Sequence, residues 1–247
     1  MKDHFSEGSD LYKKFRPRYP GEIFSRINAV IKDKHRALDC GTGNGQIAVE
    51  LNPFFEEVYA IDISLQQISE ADKINGIFYS LQPAEKTNFS DDFFNLIVAG
   101  QAAHWFNFND FFRECHRLLV PGGILALIGY DLVRVNVEID RVIDKFYHTI
   151  LGPYWPPERK YVDAQYLDIP FPYPDLNFPP SEINCTWSFS EFVGYLNTWS
   201  SVKKFIREIG SNPLDKISKE LQISWGKNEV HIIRFPVFSR IGQKPGY

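Results

Sequence analysis

An acidic residue followed by three alternate glycines is the stretch of this sequence best suited to bind a ligand. It reads Asp39-Cys40-Gly41-Thr42-Gly43-Asn44-Gly45. Glycine tolerates positive φ and lets a ligand approach the backbone closely. A helical pattern follows, and the start of a helix presents free N–H groups and a partial positive charge. The stretch therefore predicts a site for an anionic or carboxylate-bearing nucleotide ligand.

A second acid strengthens this interpretation. The next apolar run, Val58-Tyr59-Ala60-Ile61-Asp62, ends in a carboxylate roughly 20 residues past the glycines. An acid at that position is placed to accept hydrogen bonds from ribose hydroxyls. A lone glycine-rich loop is also typical of an ordinary strand-to-helix turn, but the loop and Asp62 together favour a nucleotide site.

The spacing of the glycines separates several kinds of nucleotide loop. A dinucleotide fingerprint needs glycine at the sixth position counted from Gly41, where Gln46 stands instead. A phosphate-binding Walker loop needs Gly-Lys-Ser/Thr, which this stretch does not contain. What remains, acid-x-Gly-x-Gly-x-Gly, resembles the first motif of class I S-adenosylmethionine-dependent methyltransferases. That resemblance implies S-adenosyl-L-methionine as the cofactor.

A histidine and a tryptophan form the other candidate chemical group. They belong to Gln101-Ala102-Ala103-His104-Trp105, just past the fourth predicted strand, where strand ends open onto a ligand crevice. His104 is the candidate catalytic residue, able to remove a proton from a hydroxyl or amine nucleophile. A carboxylate nucleophile needs no base, and His104 would then only orient it. The alternative is a packed histidine that starts the next helix.

Strands and helices that could position these residues alternate along the first 150 residues. Apolar runs predict five strands, at 36–40, 57–62, 76–79, 93–99 and 124–129. Helical spacing predicts intervening helices at 23–31, 45–52, 65–71 and 111–119, the last stopped by Pro121-Gly122-Gly123, and a further helix at 137–150. This alternation predicts an α/β fold with a parallel sheet and helices on both faces.

The pattern changes after the fifth strand and its helix. Residues 152–180 contain eight prolines and seven aromatic residues, which indicates an ordered insertion because a linker gains nothing from so many rings. We expect it to form a substrate-side cap, with a surface loop packed by its own aromatics as the alternative. Beyond it the sequence predicts a strand at 184–189, a helix capped by Ser190, helices at 201–209 and 213–224, and a last strand at 230–238.

The whole chain sets broader limits. Its 247 residues predict one domain, 1–247, and its net charge of −4 argues against a nucleic-acid partner. Three scattered cysteines form no metal or redox pair and suit a reducing compartment. No apolar signal or transmembrane-length run is present, so we expect a cytoplasmic protein without a membrane partner or a metal. The oligomeric state stays open.

Further stretches resemble a narrower group. They are Tyr12…Phe15-Arg16-Pro17-Arg18-Tyr19-Pro20, Leu118-Leu119-Val120-Pro121-Gly122-Gly123 and Tyr195-Leu196-Asn197-Thr198-Trp199-Ser200. With the glycine loop and the His104 stretch, they are similar to the trans-aconitate and related small-molecule methyltransferases, also called type 11. This implies a doubly wound, seven-stranded, mainly parallel sheet of Rossmann-like class I methyltransferase type, with the insertion after the fifth strand.

The same resemblance implies roles for individual residues. Asp39 faces the methionine ammonium, Asp62 takes the ribose hydroxyls, and the backbone carbonyl of Gln101 closes the methionine end. The implied cofactor-binding set is Tyr12, Arg16, Asp39, Gly41, Thr42, Gly43, Gly45, Asp62, Ile63, Ala84, Glu85 and Gln101. Two alternatives stay open, namely a solvated loop acid for Glu85 and a stem packed on the surface for Arg16.

Trp105, Trp155 and Trp199 are the expected walls of a substrate pocket, although aromatic residues at such positions also serve as core. Together these features predict methyl transfer to a small molecule, at an oxygen of a carboxylate or hydroxyl. Two alternatives remain. One is a nucleic-acid or protein methyltransferase, which the acidic charge and Gln101-Ala102-Ala103-His104 in place of an Asn/Asp-Pro-Pro-aromatic motif disfavour. The other is a non-catalytic S-adenosylmethionine-binding protein.

Overall fold

A seven-stranded sheet forms the centre of the computed structural model, which describes residues 17–246. The strands are β1 Arg36–Cys40, β2 Glu57–Asp62, β3 Ile77–Leu81, β4 Phe94–Gly100, β5 Leu119–Tyr130, β6 Ser181–Ser188 and β7 Val230–Gln243. The helices in that part of the chain are α1 Gly21–Ala29, α2 Gln46–Leu51, α3 Leu65–Ser69, α4 Phe108–Leu118, α5 Val137–Lys145, α6 Arg159–Asp163, α7 Phe189–Asn197, α8 Ser200–Ile209 and α9 Ser218–Trp225.

The strand order is β3-β2-β1-β4-β5-β7-β6. The first five strands pair in parallel, and β7 runs antiparallel to both β5 and β6. The chain winds outward from β1 to β3 and then returns to add β4 on the other side of β1. The carboxyl ends of β1 and β4 therefore flank a crevice at the point where the strand order reverses. Ligands of such sheets bind in this crevice. The predicted doubly wound α/β fold is confirmed.

Both faces of the sheet are covered. Along β4, Leu96 and Val98 contact one hydrophobic core, while Ile97 and Ala99 contact the other. Alternate residues of a strand point to opposite faces, so a strand buried throughout must lie between two layers. Helices α1, α2 and α5 supply apolar residues to the first core, and α4 supplies Phe111 and Leu118 to the second.

The boundary between α4 and β5 differs from the prediction. The helix ends at Leu118, and Leu119 is the first residue of β5, paired with Phe94. The strand continues through Pro121-Gly122-Gly123 because a register shift between Phe94 and Leu96 accommodates them. Such an irregularity lets extra residues, here three, enter a strand without ending its pairing. The prediction of Leu119 in the helix, with the strand starting at 124, was wrong.

Two helix boundaries were also predicted wrongly. Ser188, not Ser190, caps α7, because its hydroxyl accepts from the Glu191 N–H while the Glu191 side chain accepts from the Ser188 N–H. Helix α5 ends at Lys145, and residues 146–150 form a wider π-helical turn. The last strand is longer than predicted, since residues 230–237 of β7 pair with β6 and residues 237–243 continue the strand by pairing with β5.

The insertion at residues 152–180 is packed into the protein. It contains a short turn at Gly152–Tyr154 and helix α6. Val162, Tyr166 and Ile169 are buried in the second core, and Trp155 packs against the first. Among residues 17–246, no helix is long and apolar enough to cross a membrane.

Candidate functional site

The glycine loop leaves β1 and enters α2 at the carboxyl edge of the sheet. Gly41 and Gly43 have φ of +67° and +55°, a region that glycine occupies without strain. A Cβ on Gly41 would lie 2.8 Å from the Ala102 Cβ, so the loop also sits too close to the β4 end for a side chain. The N–H groups of Gly41 and Thr42 donate to the Ile61 carbonyl at 2.9 and 3.0 Å and fix the loop to β2.

Asp39 is buried at the floor of this loop. Its Oδ2 accepts from the Thr42 hydroxyl at 2.6 Å and from the Ala48 N–H at 3.1 Å. Its Oδ1 is buried and has no hydrogen-bond partner within residues 17–246. Burial raises the pKa of Asp39 to about 7, although Thr42 and Ala48 oppose the shift. A buried, unpaired carboxylate oxygen costs about 1–3 kcal/mol, which an ammonium group of a ligand would offset.

Asp62 is positioned by two backbone donors. The Gly43 N–H donates to Oδ2 at 2.9 Å, and the Ser64 N–H donates to Oδ1 at 2.8 Å. Each carboxylate oxygen can accept more than one hydrogen bond, so Asp62 is also suited to accept from ribose hydroxyls. The carboxylate lies where β2 ends and α3 begins, directly across from the glycine loop.

These groups line one cleft with about 1050 Å³ of empty space, part of it open to solvent. It contains nine predicted site residues, namely Asp39, Gly41, Thr42, Gly43, Asp62, Ile63, Ala84, Gln101 and Trp105. The sequence did not single out several further lining residues, among them Tyr19, Ser64, Gln67, Gln82, Phe106 and Tyr130. Most of these follow a strand end, and that position is the signal that would have indicated them.

Two members of the predicted cofactor set, Gly45 and Glu85, are described but do not line the cleft. Gly45 is the residue before α2, where a Cβ would collide with the Tyr79 ring, so it shapes the loop from outside the cleft. Glu85 is also absent from the lining, and its carboxylate accepts from the Asn107 N–H at 3.1 Å beside the start of α4. Tyr12 and Arg16 lie outside the described residues.

Gln101 has an unusual backbone at the end of β4. Its φ is +51°, uncommon for a residue with a side chain. Its side-chain amide holds the backbone of Tyr130 from both sides, with Nε2 donating to the Tyr130 carbonyl at 3.3 Å and Oε1 accepting from the Tyr130 N–H at 3.1 Å. These bonds connect the ends of β4 and β5 across the wall of the cleft.

A second pocket, which we call the acceptor pocket, adjoins the cleft. Gln101, Trp105 and Tyr130 line both spaces. The acceptor pocket has about 770 Å³ of empty space, part of it open to solvent, and brings together three predicted residues, His104, Trp155 and Trp199. Its other walls come from the β5 end, the insertion and α7–α8, and are Asp131, Leu132, Pro156, Arg159, Tyr195, Thr198, Ser200 and Lys203.

His104 is held by the insertion. Its Nδ1 lies 3.1 Å from the Tyr166 hydroxyl, and its ring is tilted 42° against Trp105 at 4.9 Å between centroids. Tyr166 is fully buried, and burial raises its pKa, so its hydroxyl is neutral at physiological pH. A hydroxyl bonded to one ring nitrogen helps to set the histidine tautomer. His104 therefore lines the acceptor pocket as an oriented ring.

The fold and this site define a class of protein. A doubly wound sheet, a glycine loop at the β1 end and a carboxylate at the β2 end are the features of an α/β protein that binds a nucleotide-containing cofactor. The glycine spacing excludes the dinucleotide pattern, and the buried Asp39 oxygen suits a cationic group in the cofactor.

Comparisons with known proteins identify the family. A methyltransferase-domain family model matches residues 38–127. A Dictyostelium discoideum protein named as a methyltransferase is 33% identical over 250 residues, covering 98% of this chain and 95% of the relative. A solved structure from Anaeromyxobacter dehalogenans, named as a type II methyltransferase, has a TM-score of 0.87 at 39% identity and covers 94% of this chain and 100% of its own.

A further structure, from Bacillus halodurans, has a TM-score of 0.52 at 20% identity, covers 96% of this chain and 100% of its own, and shows the fold alone. The chain belongs to the methyltransferases of class I, and its cofactor is S-adenosyl-L-methionine. The residues present fit that cofactor, since Asp39 offers a buried acceptor for its ammonium and Asp62 offers acceptors for its ribose.

Proposed function

We propose that this enzyme methylates an oxygen of a small molecule, in a carboxylate or a hydroxyl group. The observation that carries the proposal is that the cofactor cleft and the acceptor pocket share three lining residues, Gln101, Trp105 and Tyr130. A concave pocket walled by aromatic rings and several polar groups suits a small ligand. The resemblance to trans-aconitate methyltransferases in the sequence motifs supports the same substrate class.

The chemistry requires little acid–base machinery. S-adenosylmethionine supplies an electrophilic methyl group beside a sulfonium charge that disappears in the transfer. The protein's residues therefore act mainly by positioning and by excluding water. Asp39 would hold the methionine ammonium of the cofactor and Asp62 its ribose, and Gln101 and Trp105 would form the wall where the acceptor oxygen approaches.

His104 has a role that depends on the acceptor. If the acceptor is a hydroxyl, the ring would take its proton, and its bond to Tyr166 would keep it in place for that transfer. If the acceptor is a carboxylate, the oxygen is already anionic and the ring would only orient it. Glu85 is left out of this proposal because it does not line the cofactor cleft.

The insertion at 152–180 would act as the substrate-side cap. Trp155, Pro156 and Arg159 from this segment line the acceptor pocket, while Val162 and Tyr166 are buried beneath it. A segment that shares its core with the sheet is part of the same domain, so we treat 1–247 as one unit. The three free cysteines suit a reducing location, and we propose the cytoplasm.

The test has two steps. Calorimetric titration with S-adenosylmethionine, S-adenosylhomocysteine and NAD should give binding for the first two and none for NAD. Transfer of a labelled methyl group is then measured on panels of small carboxylic acids and alcohols, and on RNA and protein extracts. Label on the small molecules supports the proposal. Label only on RNA or protein would contradict it, and cofactor binding without transfer to any panel would favour a non-catalytic binding protein.

A further inference from the structure

One wall of the acceptor pocket contains a guanidinium group that the methyl-transfer reaction does not require. Arg159 lies at the start of α6, and its Nε donates to the Tyr147 hydroxyl at 2.6 Å and to Asp163 Oδ1 at 3.1 Å. Within residues 17–246 its terminal nitrogens, Nη1 and Nη2, make no hydrogen bond. Its side chain is only 18% exposed, so these donors are largely shielded from bulk water.

The guanidinium is held in one orientation. The Tyr147 O–H donates to Asp163 Oδ1 at 2.6 Å, so tyrosine and carboxylate together form a fixed acceptor for Nε. The guanidinium carbon also lies 4.9 Å from the Trp155 ring centre and 5.3 Å from that of Tyr147. Burial alone would lower the pKa of Arg159, but Tyr147 and Asp163 outweigh it and the pKa is raised.

Arg159 shares the lining of the acceptor pocket with one further cation and one carboxylate. Lys203 supplies a second cation to the lining. The Asp131 carboxylate also lines it, but its Oδ1 accepts from the Leu132 N–H at 2.7 Å and its Oδ2 from the Gln165 amide at 3.1 Å. Asp163, which partly balances Arg159, bonds to the Nε side of the guanidinium and is not part of the lining.

The position of Arg159 separates it from the reacting atoms. The cofactor cleft meets the acceptor pocket at Gln101, Trp105 and Tyr130, and Arg159 lines only the pocket. A guanidinium with its Nε fixed and its two terminal nitrogens open is suited to bidentate binding of two oxygens of one anionic group.

We propose that Arg159 is the specificity-determining residue of the acceptor pocket, and that it binds an anionic oxygen group of the methyl acceptor, a carboxylate or a phosphate, remote from the oxygen that is methylated. This inference rests on the proposed function. The acceptor is accordingly a small molecule with two functional ends, one held at Arg159 and the other presented at the junction with the cofactor cleft.

The test uses matched acids in three forms, measured with the full chain. Each compound keeps one carboxylate as the methyl acceptor, and its far end is a second carboxylate, a phosphonate or an uncharged amide. For the wild type we expect kcat/KM for the better anionic form to exceed that of the amide about tenfold to a hundredfold. Arg159→Met should remove this preference, whereas Lys160→Met, which removes an exposed charge from the same helix, should retain it.

Binding of the same compounds to enzyme saturated with S-adenosylhomocysteine, measured by saturation-transfer NMR, gives a readout that needs no turnover. Stronger binding of the carboxylate or phosphonate form, lost in Arg159→Met and partly kept in Arg159→Lys, supports the inference and tells which anion is preferred. Equal binding of charged and amide forms, or an unchanged preference in Arg159→Met, overturns it. Anion-selective binding at Arg159 without any methyl transfer would contradict the proposed function but would still support the inference about Arg159. Unchanged S-adenosylhomocysteine affinity shows that each variant is folded.

Discussion

The side-chain amide of Gln101 holds both backbone groups of Tyr130, 29 positions later in the chain. The amide occupies the gap where β4 and β5 end, and Gln101 itself has a φ of +51°. Left-handed backbone at such a residue costs about 1 kcal/mol or more and persists only where surrounding contacts enforce it. The bonds to Tyr130 are such contacts, and they fix two residues that line both the cofactor cleft and the acceptor pocket.

Replacing Gln101 should therefore affect stability and cofactor binding together. Gln101→Ala loses both bonds and retains the unfavourable φ, so we expect a loss of about 1–3 kcal/mol in the free energy of unfolding. Gln101→Gly loses the same bonds but relieves the backbone, and it should be less destabilised. Denaturant unfolding and titration with S-adenosylhomocysteine measure the two effects. Wild-type stability and affinity in Gln101→Ala would show that the amide does not support the site.

Asp62 should contribute directly to cofactor affinity. Asp62→Ala removes the acceptor for the ribose and also releases the N–H groups of Gly43 and Ser64, so we expect binding of S-adenosylmethionine to weaken by about 1–3 kcal/mol. Calorimetry measures the affinity, and Asp168→Ala, an exposed acid outside the cleft, is the matched control. An affinity unchanged from wild type would contradict the assignment of Asp62 to the ribose.

Asp39 should make stability depend on pH. Its pKa of about 7 in the folded protein lies above the ordinary value of 3.8, so between these values the folded state binds more protons than the unfolded state. The contribution of Asp39 to stability is therefore greatest below the ordinary value and is lost as pH rises through about 7. Unfolding of ligand-free wild type and Asp39→Asn at pH values across this window should show a fall in stability that is smaller in the variant. Parallel pH profiles would show that Asp39 does not titrate in this way.

His104 should separate the two kinds of acceptor. Because its ring lines the acceptor pocket and not the cofactor cleft, His104→Ala should leave the affinity for S-adenosylhomocysteine within about twofold of wild type. Turnover should fall about 100-fold for hydroxyl acceptors, which must lose a proton, and much less for carboxylate acceptors. Initial rates with both acceptor types measure the difference. Loss of cofactor affinity in the same variant would show that His104 is a structural residue.

Tyr166 provides an independent check on His104. Tyr166→Phe removes only the hydroxyl that contacts Nδ1, so the nitrogen chemical shifts of His104 should change while the fold is retained. We expect a loss of about 1 kcal/mol in the free energy of unfolding, the usual contribution of one hydrogen bond. Nitrogen shifts equal to those of wild type would mean that the tyrosine does not set the state of the ring.

Local sequence patterns predicted much of the fold and the cofactor side of the site. The strands around Asp39 and Asp62 are short apolar runs that end in an acid, and the loop between β1 and α2 needs glycine whatever surrounds it. Backbone conformation and burial of single strands depend mainly on neighbouring residues, so such features can be deduced from the chain alone. The errors at Leu119 and Ser188 arose where two elements adjoin, because pairing with β4 and a reciprocal cap decided those boundaries.

Tertiary structure alone decided how the acceptor side is built. Tyr166 reaches His104 across 62 positions, Gln101 reaches Tyr130 across 29, and Arg159 lies in a segment whose composition predicted order but no partners. The same packing directed Glu85 to Asn107 and away from the cleft. Contacts between residues so far apart depend on strand order and on how the insertion packs against the sheet. Those are properties of the folded chain as a whole, whereas the glycine loop and its acids are properties of the sequence.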